Sequence, residues 1–230
     1  YAPDYFPLAV DHWDASEGSH AGANPYEQDE APYYSFLCEP FSGGMYETRD
    51  MRNVQDGLDF LRSRKQGDEP FFLYFPLSMP HPMYSAPQPY HDMYDADDLT
   101  PLRPADLAGK PDFHHLIRDY RRLDDVPRET MKKIQAVYLG MNSYVDWMLG
   151  QVLDTLDETG LAGETTIFVS SDHGDWAGDY GLVEKWPSAL DDCILRVSLI
   201  IRMPGNQAGH VIRQPVELFD IMATVYEWTG

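Results

Sequence analysis

Apolar residues recur at helical spacing in three parts of the chain, and each part predicts an amphipathic helix. The first covers residues 50–64. The second and longest covers residues 127–158, where one apolar stripe continues to the end and Gly160 supplies a stop signal. The third covers residues 216–228.

Three other segments are continuously apolar over a few residues, which is typical of strands that are buried on both faces. They lie at residues 71–75, at residues 165–169 and at residues 196–202. Buried strands that alternate with helices indicate a mostly parallel sheet with helices on both faces. The pattern therefore predicts the α/β class, and in such sheets ligands bind beyond the carboxyl ends of the strands.

Two long segments lack sustained periodicity. Residues 1–49 are rich in Pro, Gly, Asp and Tyr and predict irregular loops, most simply a surface excursion. Residues 80–126 hold many prolines and acidic residues and predict a long loop or a lid, because long connections inside a compact domain tend to be functional. The 230 residues therefore suit one domain or a large part of one, with a helix and core strand in 50–79 and a helix–strand–strand–helix core in 127–230.

The composition argues against two classes of partner. The formal net charge is −21 and the pI is near 4.5, so a nucleic-acid backbone would be repelled across most of the surface. No apolar stretch approaches the ~20 residues of a membrane span. Cys38 and Cys193 are too few for a disulfide framework, and one bridge between them is neither required nor excluded by the sequence.

Candidate chemistry follows two of the predicted strands. His81 comes after the first strand, and Asp172 and His173 come directly after the second, so two segments bring polar groups to one sheet edge. An Asp oxygen beside a His nitrogen is half of a divalent metal site, provided that the backbone turns at Gly174. The pair also has a plainer interpretation, in which Asp172 caps a helix and His173 is a hydrogen-bonded buried histidine.

The residues around this pair resemble a family signature. Ser171-Asp172-His173-Gly174, followed by Gly178, Gly181 and Lys185, is similar to the second signature of the sulfatase family, SD(H/N)GxxxGxxGxxxK, within the alkaline phosphatase superfamily. Three further segments are similar to family sequences: Pro80-His81-Pro82, residues 196–205 with Ser198 where proline is usual, and residues 219–224 with Ala223 in place of proline. The resemblance covers residues 70–230 and implies an alkaline-phosphatase-like fold that is incomplete at both ends.

This resemblance implies the metal-dependent hydrolysis of sulfate esters. It implies that Asp172 and His173 bind a divalent cation, with Ca²⁺ expected and Mg²⁺ or Mn²⁺ as alternatives, and that His81 and Lys185 contact the sulfate group. A cation and these two side chains suit the reaction, because negative charge grows on the leaving oxygen. His81 can also protonate the leaving alcohol. The plainer alternatives are a solvated Lys185 and a turn histidine between two prolines.

The chain also departs from the family pattern. Sulfatases form a formylglycine nucleophile from Cys or Ser in a C/S-x-P-x-R motif, and Cys38-Glu39-Pro40-Phe41-Ser42 matches only its first three positions. We therefore expect Cys38 to be a small buried or paired residue rather than the nucleophile. The simplest interpretation is an internal piece of a longer sulfatase. Such a piece carries part of the active site, takes its nucleophile and remaining metal ligands from elsewhere, and is inactive by itself.

Two alternative functions stay open. A phosphonate monoester hydrolase, phosphodiesterase or phosphotransferase of the same superfamily would keep the same Asp–His pair. A catalytically dead relative that binds sulfated glycans would explain the missing nucleophile, but not the retained His81 and Lys185. Trp176 and Trp186 suit stacking on sugar rings, although aromatic residues are as often core, so an oligosaccharide sulfate is the expected substrate, ahead of a small aryl or alkyl sulfate. The resemblance also implies a periplasmic or secreted protein.

Overall fold

The computed structural model describes residues 18–19, 21–186, 189–206 and 209–230; residues 1–17 of the predicted irregular segment lie outside the described residues. The helices are α1 (Arg49–Ser63), α2 (Asp112–Tyr120), α3 (Arg128–Glu158), α4 (Asp192–Leu195) and α5 (Phe219–Thr229), and the strands are β1 (Ile167–Ser170) and β2 (Leu199–Arg202). Short 3-10 helices cover Ala31–Ser35, Tyr90–Asp92, Leu123–Asp125, Leu161–Gly163 and Asp179–Gly181. The described structure is therefore mainly helical.

The predicted helices α1 and α3 form the centre of the core, with bounds close to the expected ones. α1 begins after Thr48, whose hydroxyl accepts the backbone N–H of Met51 at 3.2 Å and so caps the helix. The same hydroxyl lies 2.8 Å from the hydroxyl of Tyr144 on α3. This buried hydrogen bond joins the start of one helix to the middle of the other.

The segment 80–126 contains α2 and contributes to the core. Tyr84, Ala86 and Tyr90 are buried in the same cluster as the apolar face of α3. Gly140 on α3 makes this contact possible, because a Cβ there would lie 2.0 Å from the carbonyl oxygen of Tyr90. Much of the predicted loop thus packs directly on α3, and a lid role for it stays a prediction.

The sheet differs from the predicted one. β1 and β2 form an antiparallel pair in which Ile167 lies opposite Arg202 and Ser170 lies opposite Leu199. The predicted parallel arrangement is therefore wrong for the strands of the described structure. Apolar runs identify candidate strands, but strand direction depends on pairing between distant segments, which a single sequence does not record.

Residues 71–75 form no regular strand in the described structure. Their exposure alternates: Phe72 and Tyr74 are 70% and 68% exposed, while the three side chains between and beside them are partly buried. The prediction of a strand buried on both faces is wrong here. A continuous apolar run shows that both faces tolerate burial, not that both are covered in this structure.

β2 and α5 present apolar side chains to solvent. The ring of Trp228 on α5 lies 5.9 Å from the ring of Phe168 on β1. The exposed apolar side chains of β2 and α5 include Ile200, Ile201, Phe219, Met222, Tyr226 and Trp228. Such a patch is typical of a surface that contacts further protein. In the part of the chain that is described, no helix is both long enough and apolar enough to span a bilayer.

Candidate active site

The segment after β1, residues 171–185, carries the residues that resemble the family signature and is called the signature loop; its backbone contacts α4. Gly174 donates its backbone N–H to the carbonyl of Ile194 at 2.7 Å, and a Cβ on Gly174 would lie 1.9 Å from the carbonyl oxygen of Cys193. Its φ lies outside the left-handed region. Gly174 therefore serves a close approach of two backbone segments and does so without the left-handed conformation that glycine allows. Gly178 and Gly181 do adopt φ values of 96° and 68°.

Asp172 and His173 lie together at the start of this loop. The backbone N–H of His173 donates to Asp172 Oδ1 at 3.0 Å, and His173 Nε2 lies 3.7 Å from the same oxygen. His173 Nδ1 is 2.8 Å from the carbonyl oxygen of Gly174. Because a carbonyl only accepts, Nδ1 carries the proton in the neutral ring and Nε2 keeps its lone pair. The pair thus presents a carboxylate that is 87% exposed and an available imidazole nitrogen.

This pair fits a divalent cation chemically, but it does not complete a site. A carboxylate oxygen and an imidazole nitrogen are suitable ligands. Within the described residues, no group of three or more His, Cys, Asp or Glu side chains is arranged to hold an ion. Ca²⁺ takes about six to eight ligands, so Asp172 and His173 can supply only a part of them.

The structure brings His81 to the same place. The ring centroids of His81 and His173 are 5.9 Å apart, with an interplanar angle of 70°. His81 Nδ1 lies 2.8 Å from the carbonyl oxygen of Pro82, so Nδ1 donates and Nε2 is the nitrogen free for a ligand. The two histidines that the sequence places after separate apolar runs therefore lie side by side; their chemical roles stay predictions.

Lys185 is connected to this region through Glu184. Glu184 Oε1 lies 3.9 Å from His81 Nε2. Glu184 has a φ of 61°, which is uncommon for a residue other than glycine, and its backbone N–H donates to the Tyr84 hydroxyl at 2.8 Å. Lys185 itself is partly exposed, and it has no ion pair or hydrogen bond among the residues that the structure describes. Its role in contacting an anion stays a prediction.

Glu184 is held by a buried partner that the sequence did not point to. Arg121, directly after α2, contacts Glu184 Oε2 through Nη2, and its Nη1 lies 3.5 Å from the carbonyl oxygen of Val183. Its guanidinium also lies 5.6 Å from the ring centroid of Trp186. Arg121 belongs to the segment without periodicity, and no sequence signal pairs it with the signature.

Asp175 supports the loop from inside. Its Oδ1 accepts hydrogen bonds from the Tyr84 hydroxyl at 2.7 Å, from the backbone N–H of Ala177 at 2.7 Å and from the backbone N–H of Glu184 at 3.2 Å. Burial raises the pKa of Asp175 to about 6, although these hydrogen bonds act in the opposite direction. Three donors converge on one oxygen, so this carboxyl group is part of the scaffold of the loop.

The two tryptophans of the signature region have different environments. Trp186 is 48% exposed, and its ring lies 5.7 Å from that of Tyr120, which is 74% exposed. Trp176 is buried, and its Nε1 donates to Asp191 Oδ2 at 3.1 Å. Trp186 is therefore accessible to a ligand, whereas the stacking interpretation of Trp176 is wrong.

Both cysteines are free thiols. Burial is the main cause that raises the pKa of Cys38 to about 11, and the same holds for Cys193. The interpretation of Cys38 as a small buried residue agrees with this environment. A thiol that stays protonated at neutral pH is a poor nucleophile.

The chain is similar to known proteins along most of its length. The family model described as Sulfatase matches residues 12–230. The chain is 31% identical over 196 residues to the multifunctional alkaline phosphatase superfamily protein PehA of Trinickia caryophylli. The alignment covers 77% of this chain and 37% of that protein. It is 32% identical over 180 residues to an arylsulfatase of Clostridium perfringens, with 76% and 37% covered.

A solved structure agrees with these relatives. The phosphonate monoester hydrolase SpPMH from Silicibacter pomeroyi superposes with a TM-score of 0.73 at 26% identity, over 90% of this chain and 44% of that chain. The described elements thus form part of a fold of the alkaline phosphatase superfamily. The chain spans about two fifths of the length of these curated relatives.

Proposed function

Because this chain belongs to the sulfatase family, we propose that it supplies part of the active site of a metal-dependent sulfate ester hydrolase. The observation that carries the proposal is the meeting of His81 with the signature loop. The rings of His81 and His173 are 5.9 Å apart, and His81 Nε2 lies 3.9 Å from the residue that precedes Lys185. Distant segments thus converge where an anionic ester group would bind.

Each group has a distinct role in this proposal. Asp172 and His173 Nε2 would hold the divalent cation, with Ca²⁺ preferred to Mg²⁺ or Mn²⁺. The cation, when bound, supplies positive charge to the ester oxygens. Lys185 donates to a sulfate oxygen through its ammonium group. The formylglycine nucleophile and the remaining metal ligands are supplied by residues beyond this chain, so the chain by itself is inactive.

His81 is suited to the leaving group. Its Nδ1 is committed to the carbonyl of Pro82 at 2.8 Å, so a proton bound at Nε2 is the one that it can transfer. Transfer of this proton to the ester oxygen that separates from sulfur neutralises the alcoholate as it forms. Nε2 is then ready to accept a proton again from solvent.

The substrate in this proposal is an oligosaccharide sulfate. Trp186 follows Lys185 directly and shares an exposed surface with the ring of Tyr120, 5.7 Å away. Exposed aromatic faces beside a polar site suit the apolar face of a sugar ring. We further propose a periplasmic or secreted location, where polymeric sulfated substrates are met.

The test uses the full-length protein with an aryl sulfate and a sulfated oligosaccharide. Lys185→Ala should lower kcat/KM for the sulfate ester about 100-fold or more, as expected for the loss of a group that stabilises developing charge. Lys132→Ala is the matched control, because Lys132 pairs with Asp97 and Glu129 on the surface of α3. Equal activities of the two variants would contradict the role of Lys185.

A phosphonate monoester hydrolase is the second candidate. It is favoured by the likeness to the hydrolase from Silicibacter pomeroyi, with its TM-score of 0.73. The ratio of kcat/KM for aryl sulfate to that for aryl phosphonate separates the two candidates. If the wild-type protein hydrolyses neither ester but binds sulfated glycans, the result would instead favour a catalytically dead binding protein.

A further inference from the structure

We propose that Arg121 is a positioning residue that keeps Lys185 and His81 available for an anion by engaging the carboxylate of Glu184. The proposal rests on the proposed function, because it assigns a task to a residue that acts through those two groups. Arg121 does not touch the anion in this scheme. Its effect is exerted through the residues on both sides of Lys185.

A single guanidinium group contacts three of the residues that flank Lys185. Nη1 lies 3.5 Å from the carbonyl oxygen of Val183, Nη2 contacts the carboxylate of Glu184, and the group lies 5.6 Å from the ring centroid of Trp186. Arg121 thus contacts residues on both sides of Lys185 in sequence. The planar guanidinium carries a rigid fork of N–H donors and can also stack on an aromatic ring, so one group can serve all of these contacts.

The Arg121 group is itself held in place. It follows the last turn of α2, and the ring centroid of Phe36 lies 4.9 Å from its Cζ atom. The side chains of Arg121 and Glu184 are 8% and 12% exposed. Two charges this deeply buried depend on each other, because each would be costly to leave without its partner.

Without its contact to Arg121, the carboxylate of Glu184 would interfere with anion binding. Its Oε1 lies 3.9 Å from His81 Nε2, and Lys185 is its neighbour in sequence. Without Arg121, this carboxylate keeps His81 Nε2 at 3.9 Å and Lys185 as its neighbour in sequence, and these are the two residues proposed to bind sulfate. A carboxylate that pairs with them competes with the substrate anion and repels it.

The φ of 61° at Glu184 is held from the backbone side as well. Its N–H donates to the Tyr84 hydroxyl at 2.8 Å. Loss of the Arg121 contact therefore frees the side chain of Glu184 first, while the backbone keeps its own support. For this reason we expect Arg121→Gln to fold and to fail mainly in anion binding.

The consequence is an unusual pattern among variants. Arg121→Gln should weaken binding of inorganic sulfate, measured as its inhibition constant, about tenfold or more, and should lower kcat/KM about 10- to 100-fold, the range typical of residues that orient a directly acting group. Glu184→Gln should keep sulfate binding near wild type, because no carboxylate is left to compete. The double variant Arg121→Gln/Glu184→Gln should recover most of the loss.

The experiment measures these variants in the full-length protein, with Arg122→Gln as the matched control. Arg122 is the next residue, and its Nη1 donates to the carbonyl of Asp29 at 2.6 Å on an exposed surface. Alongside sulfate inhibition, the rate at which an acylating reagent modifies Lys185 is followed by peptide mass spectrometry. This rate should fall in Arg121→Gln, because pairing with Glu184 shields the amine, and should return in the double variant.

Three outcomes would overturn the proposal. The first is that Arg121→Gln binds sulfate as well as Arg122→Gln does. The second is that Glu184→Gln loses as much sulfate affinity as Arg121→Gln, which would indicate a purely structural ion pair. The third is that the double variant binds sulfate no better than Arg121→Gln. If Arg121→Gln does not fold, Glu184→Gln and the double variant carry the test: both should bind sulfate near wild type, and a loss of sulfate affinity in Glu184→Gln would overturn the proposal. If the wild-type protein hydrolyses no sulfate or phosphonate ester, the changes in Lys185 reactivity still test the positioning role separately.

Discussion

Asp191 joins three parts of the fold, so its substitution is expected to destabilise the chain. It precedes α4 and accepts hydrogen bonds from Lys110, through a short contact, from His114 Nε2 at 2.7 Å and from Trp176 Nε1 at 3.1 Å. These donors come from the 80–126 segment and from the signature loop. Asp191→Asn keeps the shape of the side chain, but it removes the charge and replaces one acceptor by a donor.

The size of the effect follows from the geometry. His114 and Trp176 both donate to Oδ2, whereas Lys110 contacts Oδ1. The single oxygen of an asparagine side chain can take the place of Oδ1 or of Oδ2, but not of both. Removal of one partner from a buried ion pair costs about 3–5 kcal/mol. Lys110 is 20% exposed and can turn toward water, so we expect the lower end of this range, about 3 kcal/mol.

The assay is urea unfolding of the chain at pH 7, followed by tryptophan fluorescence. Asp192→Asn is the matched control: the side chain of Asp192 is 74% exposed and pairs with Arg196, which is 80% exposed, so its loss should change the free energy of unfolding by less than about 0.5 kcal/mol. The reasoning is refuted if Asp191→Asn destabilises the chain no more than Asp192→Asn.

The pH dependence supplies an independent check. Burial opposes the charged form of Asp191, but hydrogen bonds from His114, Lys110 and Trp176 hold its pKa below the usual value. A carboxyl group with a lowered pKa stabilises the folded state above its unfolded pKa of about 3.9, and this contribution is lost as the pH falls through the folded pKa. The difference between wild type and Asp191→Asn should therefore shrink below about pH 4. A difference that stays constant down to pH 3 would mean that charge is not its cause.

The remaining predictions concern the loop, the thiols and the metal. Gly174→Ala should lower the free energy of unfolding by about 2 kcal/mol or more, because its Cβ would lie 1.9 Å from the carbonyl oxygen of Cys193; Gly150→Ala, with nothing within 4 Å, should be neutral or stabilising in the same urea titration. Iodoacetamide should modify Cys38 and Cys193 slowly at pH 7.5 and rapidly after unfolding, because the pKa of each is raised to about 11; rapid modification of the folded chain would contradict this environment. Calorimetric titration of Ca²⁺ into the isolated chain should show no tight stoichiometric binding, since the described residues hold no complete site; tight binding would mean that further ligands lie within the 230 residues.

The helices could be predicted from sequence because their signal is local. α1 and α3 each carry an apolar stripe at helical spacing, and the structure buries that stripe. The sheet could not be predicted in the same way. Residues 165–169 and 196–202 were recognised as strands, yet their antiparallel pairing and the exposure of Phe72 depend on which other segments lie beside them. Periodicity contains no information about that neighbourhood.

In the candidate site too, the sequence indicates the residues that have a local signal and misses the one that depends on distant contacts. The sequence indicates Asp172, His173 and Lys185 because they stand in register with three glycines, and it indicates His81 because that residue follows an apolar run. The rings of His81 and His173 lie 5.9 Å apart, although the described structure lacks the parallel sheet whose edge was expected to bring them together. The sequence does not indicate Arg121, because the role of this residue comes only from contacts with residues more than sixty positions away.

Because the net charge is −21, the proposed anion site requires that the carboxylates near its cationic side chains are paired with other groups. Elsewhere in the described structure, Lys110, Lys132 and Lys133 each pair with a carboxylate, which removes their attraction for an external anion. Lys185 differs because the acidic residue beside it is already engaged by Arg121. In an acidic chain, a free cation must be produced by occupying the carboxylates around it, and the buried Arg121–Glu184 pair meets that requirement beside Lys185.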